Sequence, residues 1–304
     1  MVSMNKLSSE KRTAIVAALV EGNSIRATCR MTGAAKNTVT KLVTDLGVVC
    51  SIYQDAAMHN LTCQRIQCDE IWSFVGSKQK NVKPEKRGEG WGDVWTWVAL
   101  DADTKLVPTY RIGGRDLSEA TAFMTDLAGR LSNRPQITTD GHLPYRLAVA
   151  GAFGGDADYA QLVKIYGSDQ SPKPERRYSP AVCLDAIPKR VSGSPDPDHI
   201  STSYIERQNL TMRMGMRRYT RLTNAFSKKV ENLAAAVSLH FMHYNFCRVH
   251  KTLGTTPAVA ARVTDHVWKL DELIGRLQEA EATPVKRGSY AKTRAVKRAA
   301  ELSD

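Results

Sequence analysis

The amino-acid sequence predicts an α/β protein, a mixed sheet with flanking helices, preceded by a small all-α module. Three observations lead there. The first 48 residues carry helix caps, glycine breakers and helical apolar spacing, with no strand run. From residue 65 onward, three β-type runs are followed by alternating helix and strand patterns, which need a sheet covered by helices. The first of those runs, "RIQCDEIWSFVG" at 65–76, reads as a buried strand yet holds Asp69 and Glu70 in its middle. An ionised carboxylate in such a place is costly unless it is paired, hydrogen-bonded or bound to a cation.

The N-terminal elements follow from their punctuation. Ser8 or Ser9 can cap a helix whose Ile15, Val16 and Leu19 face one side, and Gly22 can stop it. A second helix is expected over 24–31, a tight turn at Gly33, and a third helix over 35–46. Two short helices joined by a glycine-containing turn form a helix-turn-helix pattern. Val39, Leu42 and Val43 supply the inward face of the third helix, leaving Lys36, Asn37, Thr38 and Lys41 at its front, suited to base edges and phosphates. The same pattern also fits a helical dimerisation module with a solvated polar face. Residues 1–48 are assigned to this module and 49–64, weakly periodic, to a connector.

The α/β domain is assigned to 65–265. Strands are expected at 65–76, 94–100 and 106–112, with "DADT" as a hairpin turn between the last two. An amphipathic helix starts near Leu117 or Ser118, "QITTD" is a short strand ending at Asp140 and Gly141, and a helix and a further strand, "YAQLVKIYG", follow. Residues 168–200, rich in Pro, Ser and charge, read as an insertion with one hairpin around 182–191. Phe226, Val230, Leu233, Val237, Phe241 and Tyr244 repeat at helical spacing. Residues 266–304 are expected to hold a C-terminal helix and a tail with Lys286, Arg287, Lys292, Arg294, Lys297 and Arg298.

At 304 residues the length suits two or three modules. Forty-three Lys and Arg against 31 Asp and Glu give a net charge of +12, which points to a polyanion, either nucleic acid or an anionic membrane surface. A basic enzyme without such a partner is the plainer alternative. No apolar run approaches the roughly 18 residues of a membrane span, and no signal peptide is expected at the N-terminus. The six cysteines lack a CxxC pair and read as reduced cytosolic thiols. Cys50, His59, Cys63 and Cys68 fit no common zinc-ligand spacing. Trp91, Trp95 and Trp97 read as packing residues, and His240, His243 and His250 as structural or DNA-contacting.

Three acids stand out. Asp69 lies within an apolar strand, and Asp140 closes a strand just before a glycine, where α/β sheets present functional groups. Glu206 opens the helix "SYIERQNLTMRMGMRR", with Arg213 and Arg217 expected on nearly the same face. Each alone has an ordinary explanation: an arginine pair, a helix cap, a first-turn acid. Together they would repel one another unless a hard divalent cation, Mg²⁺ or Mn²⁺, sat among them. Two such ions about 4 Å apart can clamp an in-line phosphoryl displacement. Glu70, one residue along the strand, is expected on the opposite face from Asp69. From Arg207 to Lys229 there are basic residues at 207, 213, 217, 218, 221, 228 and 229 and no acids, a run suited to phosphates.

These motifs carry a resemblance. "CDEIWSFVG", "TTDGHLPY" and "SYIERQNLTMRMGMRR" resemble those of DDE transposases and integrases with an RNase H-like core, most of all bacterial insertion-sequence transposases of the insertion-sequence-one type and relatives. "YNFCRVHKTLGTTPAVAA" is similar to the segment closing such domains, so the resemblance spans about 60–265. It implies a catalytic triad of Asp69, Asp140 and Glu206 binding two Mg²⁺ (or Mn²⁺) ions, with Arg213 near the scissile phosphate. The implied partners are double-stranded DNA, as terminal repeats and target, and further copies of the chain, as a dimer or larger assembly; no membrane is implied. The implied location is the cytoplasm, on the bacterial nucleoid. No GxxxxGK[ST] loop is present, so ATP is not expected. Two other functions fit the same residues: a helix-turn-helix regulator with an inactive RNase H-like domain, and a metal-dependent nuclease without strand transfer.

Overall fold

The computed structural model describes residues 6–167, 182–220 and 223–282. The first part of the expected insertion (168–181), Arg221 and the basic tail beyond 282 lie outside the described residues.

Three helices open the chain: α1 (Ser9–Val20), α2 (Ile25–Thr32) and α3 (Lys36–Ala57). Ser8 and Ser24 cap the first two by accepting from Lys11 N and Ala27 N. Gly33 closes α2 at φ +67°, a conformation that favours glycine. The third helix does not stop at Leu46 but runs on through most of the expected connector. Its second half buries Gly47, Cys50 and Gln54 while Val48 and Ile52 are exposed, so the buried stripe is made of small and polar residues that leave no hydrophobic period. Gln54 Nε2 donates to Ser238 O at 3.1 Å, which ties this stretch to a helix of the α/β layer.

The sheet strands are β1 (Arg65–Val75), β2 (Gly92–Asp101), β3 (Tyr110–Gly113), β4 (Gln136–Thr139), β5 (Asp158–Tyr166) and β6 (Cys183–Ser192), in the order β3-β2-β1-β4-β5-β6. β1 pairs antiparallel with β2 and parallel with β4; β5 is parallel to β4, and β6 returns antiparallel. This is the mixed sheet that the sequence predicts. The ladder of β3 is shorter than expected, because the Asn245 side chain holds both polar backbone groups of Val107 at 3.0 Å. The hairpin expected around 182–191 is instead the single strand β6, whose neighbour is β5. Pro188 has no N–H to donate and is tolerated because β6 is an edge strand.

Helices cover both faces: α4 (Leu117–Arg130) and α5 (Pro144–Phe153) on one, α6 (Ser203–Gly215) and α7 (Val230–Met242) on the other. Alternation along β1 and β2 feeds both cores. Ile66, Cys68 and Trp97 pack with Phe123 and Tyr145, while Ile71, Val98 and Leu100 pack with Ile205, Met212 and Phe241. Phe226, expected in α7, precedes it and packs on Phe74 with ring centroids 4.7 Å apart; the helix passes into a π-turn over His243–Cys247. The chain ends with α8 (Pro257–Ala260) and α9 (Leu270–Ala282), and Arg12 of α1 pairs with Glu281 of α9 at 3.1 Å. Ile15, Val39 and Leu46 share one continuous apolar cluster with Trp97, Phe246 and Leu277, so the N-terminal helices pack into the same core as the sheet. Among the described residues no helix is long and apolar enough to cross a membrane.

Helix α3 crosses α7 at Gly47, where an added Cβ would fall 2.5 Å from Ala235 backbone and side-chain atoms. Gly→Ala inside a helix ordinarily stabilises by about 1 kcal/mol. Gly47→Ala should do the reverse, costing on the order of 1–3 kcal/mol through overpacking. The urea midpoint reads the sign directly; an increase would show that the helices do not meet there.

Candidate active site

Strand β1 loses its parallel neighbour after Cys68, because β4 ends at Thr139. Sequence neighbours lie to the β2 side of β1 and later strands to the β4 side, so this is a topological switch point. Asp69 and Glu70 stand on β1 where the gap opens, and Asp140 follows β4 directly. Carboxylate oxygens of Asp69, Glu70 and Asp140 lie within 4.8 Å of one another.

The pleat sends Asp69 and Glu70 to opposite faces, as expected, but this does not separate their carboxylates. With no strand between β1 and the end of β4, both side chains reach over the sheet edge toward Asp140. Asp69 Oδ2 accepts from Asn209 Nδ2 of α6 at 2.7 Å. Glu70, with a fully buried carboxylate, accepts from Arg115 Nε at 2.6 Å and from the Tyr145 hydroxyl at 3.0 Å. Arg115 stacks on Trp95 at 4.7 Å and brings Nη2 to 3.9 Å from Asp140 Oδ2. The other Asp140 oxygen accepts from the His142 backbone N–H at 2.9 Å.

The electrostatics follow. Burial first, then the charges of Glu70 and Asp140, push the Asp69 carboxyl up to about 7, against the hydrogen bond from Glu70 N–H; Glu206 adds a further, smaller push. Glu70 is also raised, by burial and Asp140, with Arg115 and Tyr145 pulling the other way. His142 is lowered, by burial and then by Arg115.

Glu206 stands apart from the three-carboxylate cluster. It lies in the first turn of α6, where Lys164 of β5 and the Thr202 hydroxyl, at 2.5 Å, both donate to Oε1. Its helix is nonetheless anchored to the same strand as Asp69. Gln67 Oε1 accepts from Tyr204 N at 2.9 Å and Ile205 N at 3.1 Å, capping a helix that has no side-chain cap of its own.

Helix α6 ends at Gly215, so Arg217 does not continue its face; it sits in a separate 3₁₀ turn, Arg217–Tyr219. Met216 leaves the helix at ψ 105° and is buried, which turns the chain. Arg213 stays on α6, half-buried. Lys36, Asn37 and Lys41 are exposed and Thr38 half-buried; Lys41 pairs with Asp45. Lys36, Asn37 and Arg217 come together along one cleft, apart from the carboxylates.

Gln67, Arg115, Tyr145, Lys164 and Asn209 were not singled out from the sequence. Asn209 had a signal, since it lies three residues after Glu206 on the same helical face. Gln67 had one too, as a polar residue two before Asp69 in the same apolar strand.

With the folded carboxyl near 7 and the unfolded one near 3.8, the native state keeps a proton on Asp69 that the unfolded state has already lost. Stability of the metal-free protein therefore falls as pH rises through that window. Asp69→Asn removes this dependence. In EDTA, its stability relative to wild type should grow by on the order of 4 kcal/mol between pH 4 and pH 7.5. Parallel pH profiles of the two proteins would contradict the burial and crowding of Asp69.

No family model matches the chain, and no curated protein matches it. Among solved structures it is similar to a Mos1 transposase paired-end complex with the left transposon end, at 12% identity and a TM-score of 0.20, covering 50% of this chain and 59% of that one. It is also similar to a piggyBac transposase synaptic complex with hairpin DNA, at 12% identity and a TM-score of 0.37, covering 94% of this chain and 76% of that one. Likenesses this loose assign no role to any residue of the site.

Proposed function

We propose that the protein is a DNA transposase of the DDE type, binding the ends of a bacterial insertion sequence and performing phosphodiester hydrolysis and strand transfer into target DNA. The observation that carries this reading is the meeting of Asp69 and Asp140 at the switch point of a mixed sheet, crowded enough to hold a proton on Asp69 near neutrality. The chain order of the three acids, on the first strand, after the fourth strand and on a later helix, is the one that the RNase H-like resemblance implies. Oxygen-only donors with unrelieved negative charge fit Mg²⁺ or Mn²⁺.

In this reading Asp69, Asp140 and Glu206 would hold two ions, and the metal would supply positive charge to the attacking and leaving oxygens of an in-line displacement. The remaining work is done by protein groups. Asn209 orients Asp69, and the His142 N–H and Arg115 orient Asp140. Glu70 is read as a buttress rather than a ligand, since its fully buried carboxylate is already neutralised by an ion pair with Arg115, which it holds over the site. Lys164 pairs with Glu206 and balances its charge. The three N-terminal helices form the helix-turn-helix, with Lys36, Asn37, Thr38 and Lys41 facing the terminal repeat, while Arg213 meets the backbone nearer the cut and Arg217 meets it beside Lys36 and Asn37. Joining two ends requires a dimer or larger assembly on DNA.

The test is a joining assay with labelled terminal DNA in Mg²⁺. Asp140→Asn should reduce cleavage and joining to background while end binding stays within about twofold, as expected for a group used only in the chemical step. Cut ends without joined product would make the protein a nuclease. Binding with no cleavage by wild type would make it a regulator.

A further inference from the structure

Between the N-terminal helices and residues 215–218 and 223–228 lies a cleft of about 710 Å³. Its walls carry Arg26, Lys36, Arg217, Arg218 and Lys228, and among the described residues no Asp or Glu lines it. A surface of a chain with 31 acids normally mixes signs, so a cleft lined by one sign is a site for the other.

Two further features point to an anion. Arg218 is desolvated without a counter-ion: its hydrogen bond goes to Ser227 Oγ at 3.3 Å, and among the described residues no carboxylate lies within ion-pair distance. Burial pushes its guanidinium below the ordinary arginine value. Finally, α3 begins at the cleft with no side-chain cap and no acid in its first turn, leaving backbone donors at the positive end of its dipole.

The cleft is also joined to the carboxylates. Its base is where the α1–α2 turn meets the end of α6: Gly22, at φ +82°, leaves only 2.6 Å between an added Cβ and Met214 O, and Gly215 lies against His240. Helix α6 therefore runs from Glu206 to the cleft, about 13 Å along its axis, on the order of four base-pair rises.

We propose that this cleft is a clamp for a DNA phosphate backbone, gripping one strand between the front of α3 and residues 215–218 and 223–228 at the far end of the helix that carries Glu206. The proposal rests on the reading of the chain as a DNA enzyme, and it adds Arg26, Arg218 and Lys228 to the groups that hold DNA. A concave slot of this kind accepts an extended polyanion; a flat anionic bilayer does not reach its base.

The test uses the full chain in EDTA, so that no chemistry is read. A fluorescein-labelled 30-bp duplex of arbitrary sequence is titrated between 50 and 200 mM NaCl and followed by anisotropy, with phosphatidylserine vesicles as a competitor. Lys36→Gln with Lys228→Gln removes two exposed cations from the cleft; Lys251→Gln with Lys269→Gln removes two exposed cations elsewhere. The cleft pair should lower the salt slope by about two and weaken binding at 0.1 M about 10- to 100-fold, the control pair far less. Arg218→Gln should weaken binding and Arg218→Lys restore part of it, with melting temperatures reported for both. Equal losses in the two lysine pairs, an unchanged slope in the cleft pair, or displacement of DNA from the cleft by vesicles would each overturn the clamp. An unchanged slope beside normal Mg²⁺-dependent joining sinks the clamp alone. A lost slope beside no joining at all sinks the proposed function and leaves the clamp standing.

Discussion

The constraint on which the structure turns is the cost of gathering carboxylates in a desolvated corner. Two like charges 4.8 Å apart repel by roughly 3 kcal/mol at the effective dielectric of a protein interior near its surface, and here three acids share that space. One guanidinium, Arg115, stands among them and leaves negative charge in excess. The surrounding elements can be understood as answers to this cost. Trp95 on β2 carries Arg115, Tyr145 on α5 takes the deepest oxygen of Glu70, and Asn209 on α6 takes Asp69. What these groups do not offset shows as the upward push on Asp69 and Glu70.

Strand β1 is the beam that fixes these answers relative to one another. Within four residues it sends Gln67 to the first turn of α6, Cys68 into the apolar layer under α5, Asp69 toward Asn209 and Glu70 toward Tyr145. Helix α6 is therefore held at two points by one strand, once through its backbone amides and once through a side chain. Glu206 sits between those points in sequence, and only its ion pair with Lys164 of β5 draws it the other way.

The parts of this arrangement that were legible in the sequence were those with a local contradiction in them. A polar pair inside an apolar strand, a strand closing on Asp-Gly and a cationic stretch without acids each break a pattern, and each marks a real place in the fold. The sheet and most helix boundaries followed from caps and alternation, as with Ser8, Ser24 and Gly33. What could not be read depends on tertiary partners. Nothing local distinguishes Arg115 or Tyr145 from other arginines and tyrosines, because their roles arise where separate elements converge. The length of α3 was hidden since its buried stripe is Gly47, Cys50 and Gln54, chosen for close approach rather than for hydrophobicity. Arg217 was misplaced because a face extrapolated along α6 ignores the turn at Met216. Glu70 was set aside on the pleat alone, which holds inside a sheet and fails at an edge where the neighbouring strand has ended.

Helix α3 is a continuous rod of 22 residues. Its first half closes the N-terminal helices and its second half lies on α7, so no flexible joint separates the two. Opening the N-terminal helices from the rest would strip α7 of its cover and expose the cluster that runs from Ile15 to Leu277. The N-terminal helices and the sheet consequently share one cooperative core, in which the hydrogen-bonded amides in the buried middle of α3 exchange with solvent only as often as the sheet itself comes apart.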